Sequence, residues 1–190
     1  MIFQLIAVIL LGIFYSCYFG KMIAQRRKGI QTDQIGKGKT GTEKVIELTM
    51  KAATLLVPPL EGFWWQDNID GIDYSDKDSF NWISVIRLPE FISQKDFEWA
   101  VETATKKKKI DCSSAEFLTI DEGLCVQIMH LGAFDDEPAT VALMDTYLKQ
   151  NRYVNDMNME RLHHEIYLSD ARKVAPEKWK TVIRHPIKRI

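Results

Sequence analysis

Cysteine is scarce in this chain: Cys17, Cys112 and Cys125 are the three present, odd in number and without a pattern. That excludes a disulfide framework and suits reduced thiols in a cytosolic domain. An excess of charge of one sign is also absent. The formal net charge is −1, so there is no global electrostatic case for nucleic acid, and no helix-turn-helix is evident. The chain has no G-x-S-x-G, no P-loop and no G-x-G-x-x-G, and neither Cys112 nor Cys125 belongs to a local Cys/His signature. The common nucleophile and nucleotide templates therefore fail, and no cofactor is expected.

What is present begins with an apolar N-terminus. "MIFQLIAVILLGIFYSCYFG" has no charged side chain before Lys21, and about 20 apolar residues span a bilayer core as a helix. A signal peptide would need a basic start, a shorter apolar core and a small-residue cleavage site. A retained transmembrane helix over 1–23 is the expectation. Lys21, Arg26, Arg27 and Lys28 follow it, so the positive-inside rule gives a single-pass membrane protein with its C-terminal domain in the cytoplasm. Residues 24–57 read as a basic juxtamembrane linker followed by a short apolar helix, "VIELTMKAATLLV", that stops at Pro58-Pro59.

From Pro58 onward strands and amphipathic helices alternate. "EGFWWQD" and "FNWISVIRLP" read as strands. Ser93 and Asp96 form a capping box for the helix "QKDFEWAVETATKKK", whose buried stripe is Phe97, Ala100, Val101 and Ala104. The lysine run 106–109 suits that helix's C-terminal dipole. "AEFLTI" and "LCVQIMHL" flank Asp121-Glu122-Gly123 and read as a hairpin. Asp135 and Asp136 read as caps of a second helix, "PATVALMDTYLKQN", with Pro138 in its first turn. "RLHHEIYL" and "WKTVIRHPI" close the chain as strands around the turn "APEKW". The class is α+β, an antiparallel sheet with helices on one face.

The stretch "RLHHEIYLSD" (161–170) invites a zinc reading. A zinc protease needs H-E-x-x-H on a helix, and Leu168 occupies the place of the second histidine. Ile166, Tyr167 and Leu168 favour a strand, where side chains alternate. His163, Glu165 and Tyr167 then share one face and His164 points away, so the two histidines cannot chelate one ion and no metal is expected. Glu165 beside Tyr167 is either a surface pair or the centre of a ligand pocket walled by Trp64, Trp65 and Trp82. In the second case the carboxylate would act as general base or anchor a cation.

Four blocks, "VPPLEGFWW", "FNWISVIRLPEF", "HLGAFDDEPATVALMD" and "HHEIYLSDARKVAPEKWKTVIRHPI", resemble the GyrI-like small-molecule-binding domain family over about residues 58–190. The resemblance implies two SHS2-type β-α-β-β repeats around a cleft for small apolar or cationic ligands, centred on a glutamate. Some members resemble hydrolases that open cyclopropane-bearing toxins. By motif position, Glu165 would be the glutamate that activates water and Tyr167 its neighbour. Trp64, Trp65, Trp82 and His163 would be ligand-binding, and His130 structural. Whether the cleft only binds or also hydrolyses is open. The family's first strand and helix are expected to be missing, and residues 1–57 resemble the start of a bacterial isoprenylcysteine carboxyl methyltransferase-like membrane protein without its methyl-donor site. The rival expectation is therefore an impaired chimera joined near Val57-Pro58, with an incomplete sheet and low stability.

Overall fold

The computed structural model describes residues 12–15, 20–28, 58–108 and 111–190. Nine strands are formed among the described residues: β1 Gly12–Tyr15, β2 Gly20–Lys28, β3 Leu60–Gln66, β4 Phe80–Arg87, β5 Ala115–Ile120, β6 Leu124–Leu131, β7 Tyr153–Asn155, β8 His163–Tyr167 and β9 Lys180–Arg189. Two helices are described, α1 Gln94–Lys108 and α2 Glu137–Gln150. The strands run in the order β1-β6-β9-β8-β3-β4-β2-β5, with β7 added on β9, and all the pairings are antiparallel. The expected α+β class is the one observed.

Both helices pack on one face of the sheet. Phe97, Ala100 and Ala104 of α1 meet Ile86 of β4 and Leu88 just beyond it, and Met144 and Leu148 of α2 meet Val126 and Ile183. The α1 stripe is the one its 3.6-residue period dictates. Its start is the expected capping box: Ser93 N–H donates to Asp96 Oδ2 (2.8 Å) and Asp96 N–H to Ser93 Oγ (3.3 Å). The second helix differs. Asp136 makes no side-chain cap, because Phe134–Asp136 already winds into a 3-10 turn that leads into α2.

The hairpin expected across Asp121-Glu122-Gly123 does not form. β5 pairs with β2, and β6 with β1 and β9, at opposite ends of the strand order. Three residues that span at most about 14 Å join those ends, with Gly123 at φ +59°, so the sheet curls. Its helix-free face folds inward, and Leu118 and Ile120 of β5 pack on Phe63, Ile83 and Val85.

The described part of the N-terminus differs from the expectation for it. Residues 12–15 and 20–28 are strands rather than parts of a membrane helix and linker. β2 fills the slot between β4 and β5 in register from Met22 opposite Arg87 to Lys28 opposite Asn81, so the sheet is not short of a strand there. The rest of 1–23 and the apolar segment 45–57 lie outside the described residues. Among the described residues no helix is long and apolar enough to cross a membrane.

Candidate functional site

Strand pleat places the site. On β8, His163, Glu165 and Tyr167 face the helices, while His164 and Ile166 face the curled interior, as the alternation requires. Trp64 on β3 lies directly opposite His163, and Trp82 on β4 directly opposite Trp64. The two indoles stack with centroids 5.6 Å apart, and Phe80 meets Trp64 edge-on at 5.9 Å. Gly62, opposite Glu165, lets this wall approach its neighbour. A Cβ there would lie 2.8 Å from both Trp64 Nε1 and Tyr167 Oη, and that is where the two side chains meet: Trp64 Nε1–H donates to Tyr167 Oη at 2.9 Å.

A pocket with about 460 Å³ of open space, partly continuous with solvent, sits above this floor. Trp64, Phe80, Ile72 and Tyr74 line one side, Phe134 and Glu137 the other, and His163 with Glu165 the bottom. Lys77 and Asp135 pair at its exposed rim. The wall 72–79 has little secondary structure and is pinned by one buried side chain. Gln66 Nε2 donates to Asp73 O (3.1 Å) and Asp76 O (2.9 Å), and Asp73 N–H donates to Gln66 Oε1 (2.7 Å).

The polar floor is a chain of buried groups. Glu165 shares hydrogen bonds with His163, Tyr167 and Glu137. Burial alone would raise its carboxyl, but the hydrogen bond and electrostatic pull of His163, with the other two bonds, outweigh it and hold Glu165 below the usual carboxylate range. Glu137 moves the opposite way, raised by burial and then by the charge and hydrogen bond of Glu165. The pair therefore shares one proton, carried by Glu137, and Glu165 is the anion. Burial and the neighbouring Glu165 push the Tyr167 phenol well up, so it remains a donor. With Glu165 ionised, His163 Nε2–H donates to Oε1 (2.8 Å), and His163 Nδ1 shares a hydrogen bond with His185 Nε2 (2.7 Å). His185 is kept neutral by burial and by His163, and its Nδ1 is left without a partner.

Of the residues expected at the site, Glu165, His163, Trp64 and Tyr167 are brought together. Trp82 stands behind Trp64 as a second layer. Trp65 does not belong: it is one residue from Trp64 and so falls on the other face, against Phe63 and Ile83. His130 is structural, its ring held between Thr140 Oγ1 (2.8 Å) and Ala133 O (2.9 Å). Glu137, Tyr74, Phe80, Phe134 and His185 were not anticipated. The acid in "DDEP" reads as a helix-start residue, and only the fold turns it toward β8.

His164 anchors a separate network inside the curl. Its Nδ1–H donates to Glu122 Oε1 (2.7 Å) and its Nε2–H to Glu61 Oε2 (2.9 Å). Arg184 Nη1 donates to Glu122 Oε2 (2.7 Å), and Phe63 stacks on the imidazole at 4.0 Å. Burial alone would raise the Glu122 carboxyl, but the charges and hydrogen bonds of His164 and Arg184 hold it at about 2.

Known proteins of this architecture carry the same helix-and-sheet arrangement. The sequence profile of the GyrI-like small-molecule-binding domain matches residues 42–188. An uncharacterized conserved protein from Listeria innocua is 34% identical, with 93% of this chain and 91% of that chain covered at a TM-score of 0.82. A hydrolase from Listeria innocua is 32% identical, with 96% and 94% covered at 0.80, and another is 35% identical, with 89% and 87% covered at 0.76. A search of curated proteins gave no match. The profile begins ahead of Val57-Pro58, and alignments of that extent reach well into residues 1–57. They give no support to a fusion joint there or to a methyltransferase origin for the N-terminus. The chain belongs to the GyrI-like small-molecule-binding domain family.

Proposed function

We propose that the pocket binds a small apolar or cationic aromatic molecule and hydrolyses a strained electrophile such as a cyclopropane-bearing alkylator. One observation carries this reading: an ionised carboxylate, Glu165, is buried at the base of an aromatic pocket and oriented by His163 and Tyr167. Trp64, Phe80 and Phe134 offer ring faces to a flat or cationic ligand. Water above Glu165 gives up a proton to the carboxylate while its oxygen bonds to the strained ring carbon. The ring C–C bond breaks, its electron pair passes into the conjugated ligand, and the proton is returned to the anionic product. Two relatives at 32% and 35% identity carry the name hydrolase, which favours turnover over binding alone.

The test is Glu165→Gln with such an alkylator as substrate. Turnover falls by about 10²–10⁴-fold, the usual share of a general base, while ligand quenching of Trp64 fluorescence persists. Saturable quenching with no product at any pH in the unaltered protein would reduce the site to a binding module.

A further inference from the structure

The floor of the pocket holds more acid than hydrogen bonding satisfies. Glu137 of α2 and His163 and Glu165 of β8 each present one ligand-type atom, all within 4.8 Å of one another. Glu137 is only 2% exposed, yet beyond the proton its carboxyl shares with Glu165 no donor reaches its Oε1. Tyr74 Oη, on the adjacent wall, is buried and unpartnered too. Buried polar atoms without partners are rare, and a bound water, an ion or a catalytic role is the usual reason for them. Lys77, whose charge reaches Glu137, is paired with Asp135 at the rim and does not reach down to fill the gap.

We propose that Glu137, His163 and Glu165 bind a first-row divalent cation, of zinc or manganese type, at the floor of the aromatic pocket. Two carboxylates and an imidazole are the donor set such ions favour. Three protein ligands with the remaining side open to a pocket match the form of sites that also take a water or substrate. Bonds of about 2.0–2.2 Å in a tetrahedral site would set neighbouring donors roughly 3.3–3.6 Å apart. His163 Nε2 and Glu165 Oε1 stand at 2.8 Å and all three donors within 4.8 Å of one another, so side-chain shifts on the order of an ångström bring them to that spacing. His185 completes the arrangement. With Nε2 on a metal, His163 carries its proton on Nδ1 and donates it to His185 Nε2, 2.7 Å away, the outer partner that metal-bound histidines normally have. His163 and His164 point to opposite faces and cannot share an ion, but Glu137 brings the third donor from another element.

The whole protein, stripped with a chelator and dialysed, is titrated with ZnCl2 by calorimetry and with CoCl2 by visible absorption. One equivalent binds with micromolar or tighter affinity and a cobalt d–d band appears. Glu137→Gln weakens binding by at least about 100-fold and His185→Phe by about 10–100-fold, with folding checked by thermal melt. If the Glu137 variant does not fold, Mn2+ added to the unaltered protein gives the answer: it broadens the His163 ring resonances first. No heat and no band up to about 1 mM metal, binding unchanged in Glu137→Gln, or broadening centred elsewhere overturns the site. No organic ligand enters these measurements, so their failure leaves the hydrolytic reading standing, and the failure of that reading leaves the metal site.

Discussion

His163, His164 and Glu165 are consecutive, yet they serve two sites on opposite faces of one strand. The outer pair builds the pocket floor, and His164 is locked between Glu61 and Glu122 inside the curl. The inner network predicts an acid limit to stability. Glu122 sits at about 2 in the folded protein, below its unfolded value. Its contribution is therefore complete above the ordinary carboxylate range and is lost as pH falls from there toward 2. Glu122→Gln should cost about 3–5 kcal/mol at neutral pH, because it leaves His164 and Arg184 without their shared carboxylate. The variant's stability should fall less with acid than that of the parent over this window, as read by urea unfolding at stepped pH. A parallel decline of the two would show that Glu122 is not the group responsible.

At the scale of elements, local signals were legible and partners were not. Helix α1 was readable to its ends because Ser93, Asp96 and the Phe97 to Ala104 stripe act within a few residues of one another. The alternation that parted His163 from His164 was equally available for Trp64 and Trp65, and applied there it removes Trp65 from the pocket. Glu137 was not readable, since nothing in "DDEP" tells which strand its carboxyl will meet. Nor was Gln66, a polar residue at a strand end that proves to be fully buried and to hold the wall 72–79 through Asp73 and Asp76. Gln66→Leu should free that wall at the expense of about 1–3 kcal/mol, the penalty for leaving buried backbone groups unpaired. Ligand affinity should drop with little change in the chemical step, a rise in KM at constant kcat. An unchanged KM would mean that the wall stands without Gln66.

For the whole molecule, the N-terminal segment changes meaning. The apolar run that suggests a membrane span also supplies strand residues, and the basic residues Arg26, Arg27 and Lys28 lie in a strand opposite Ile83, Trp82 and Asn81. Periodicity cannot separate a fully apolar helix from strand segments of this kind, so the strands at 12–15 and 20–28 are not legible in the sequence. Residues 58–190 alone should unfold with a broad, weakly cooperative transition, because removing β2 bares the edges of β4 and β5. A sharp calorimetric transition for that fragment, matching the full chain, would mean that β2 adds nothing. The three-residue corner between β5 and β6 bears on the route of folding as well. A link so short favours the nearest pairing in sequence, β5 against β6, which forms in microseconds. The native sheet instead pairs these strands with β2 and with β1 and β9, much farther along the chain, and such contacts form slowly. The chain must decline its easiest hairpin to reach the fold, and Glu122, which in the native state reaches inward to His164 and Arg184, gives the corner a reason to stay open.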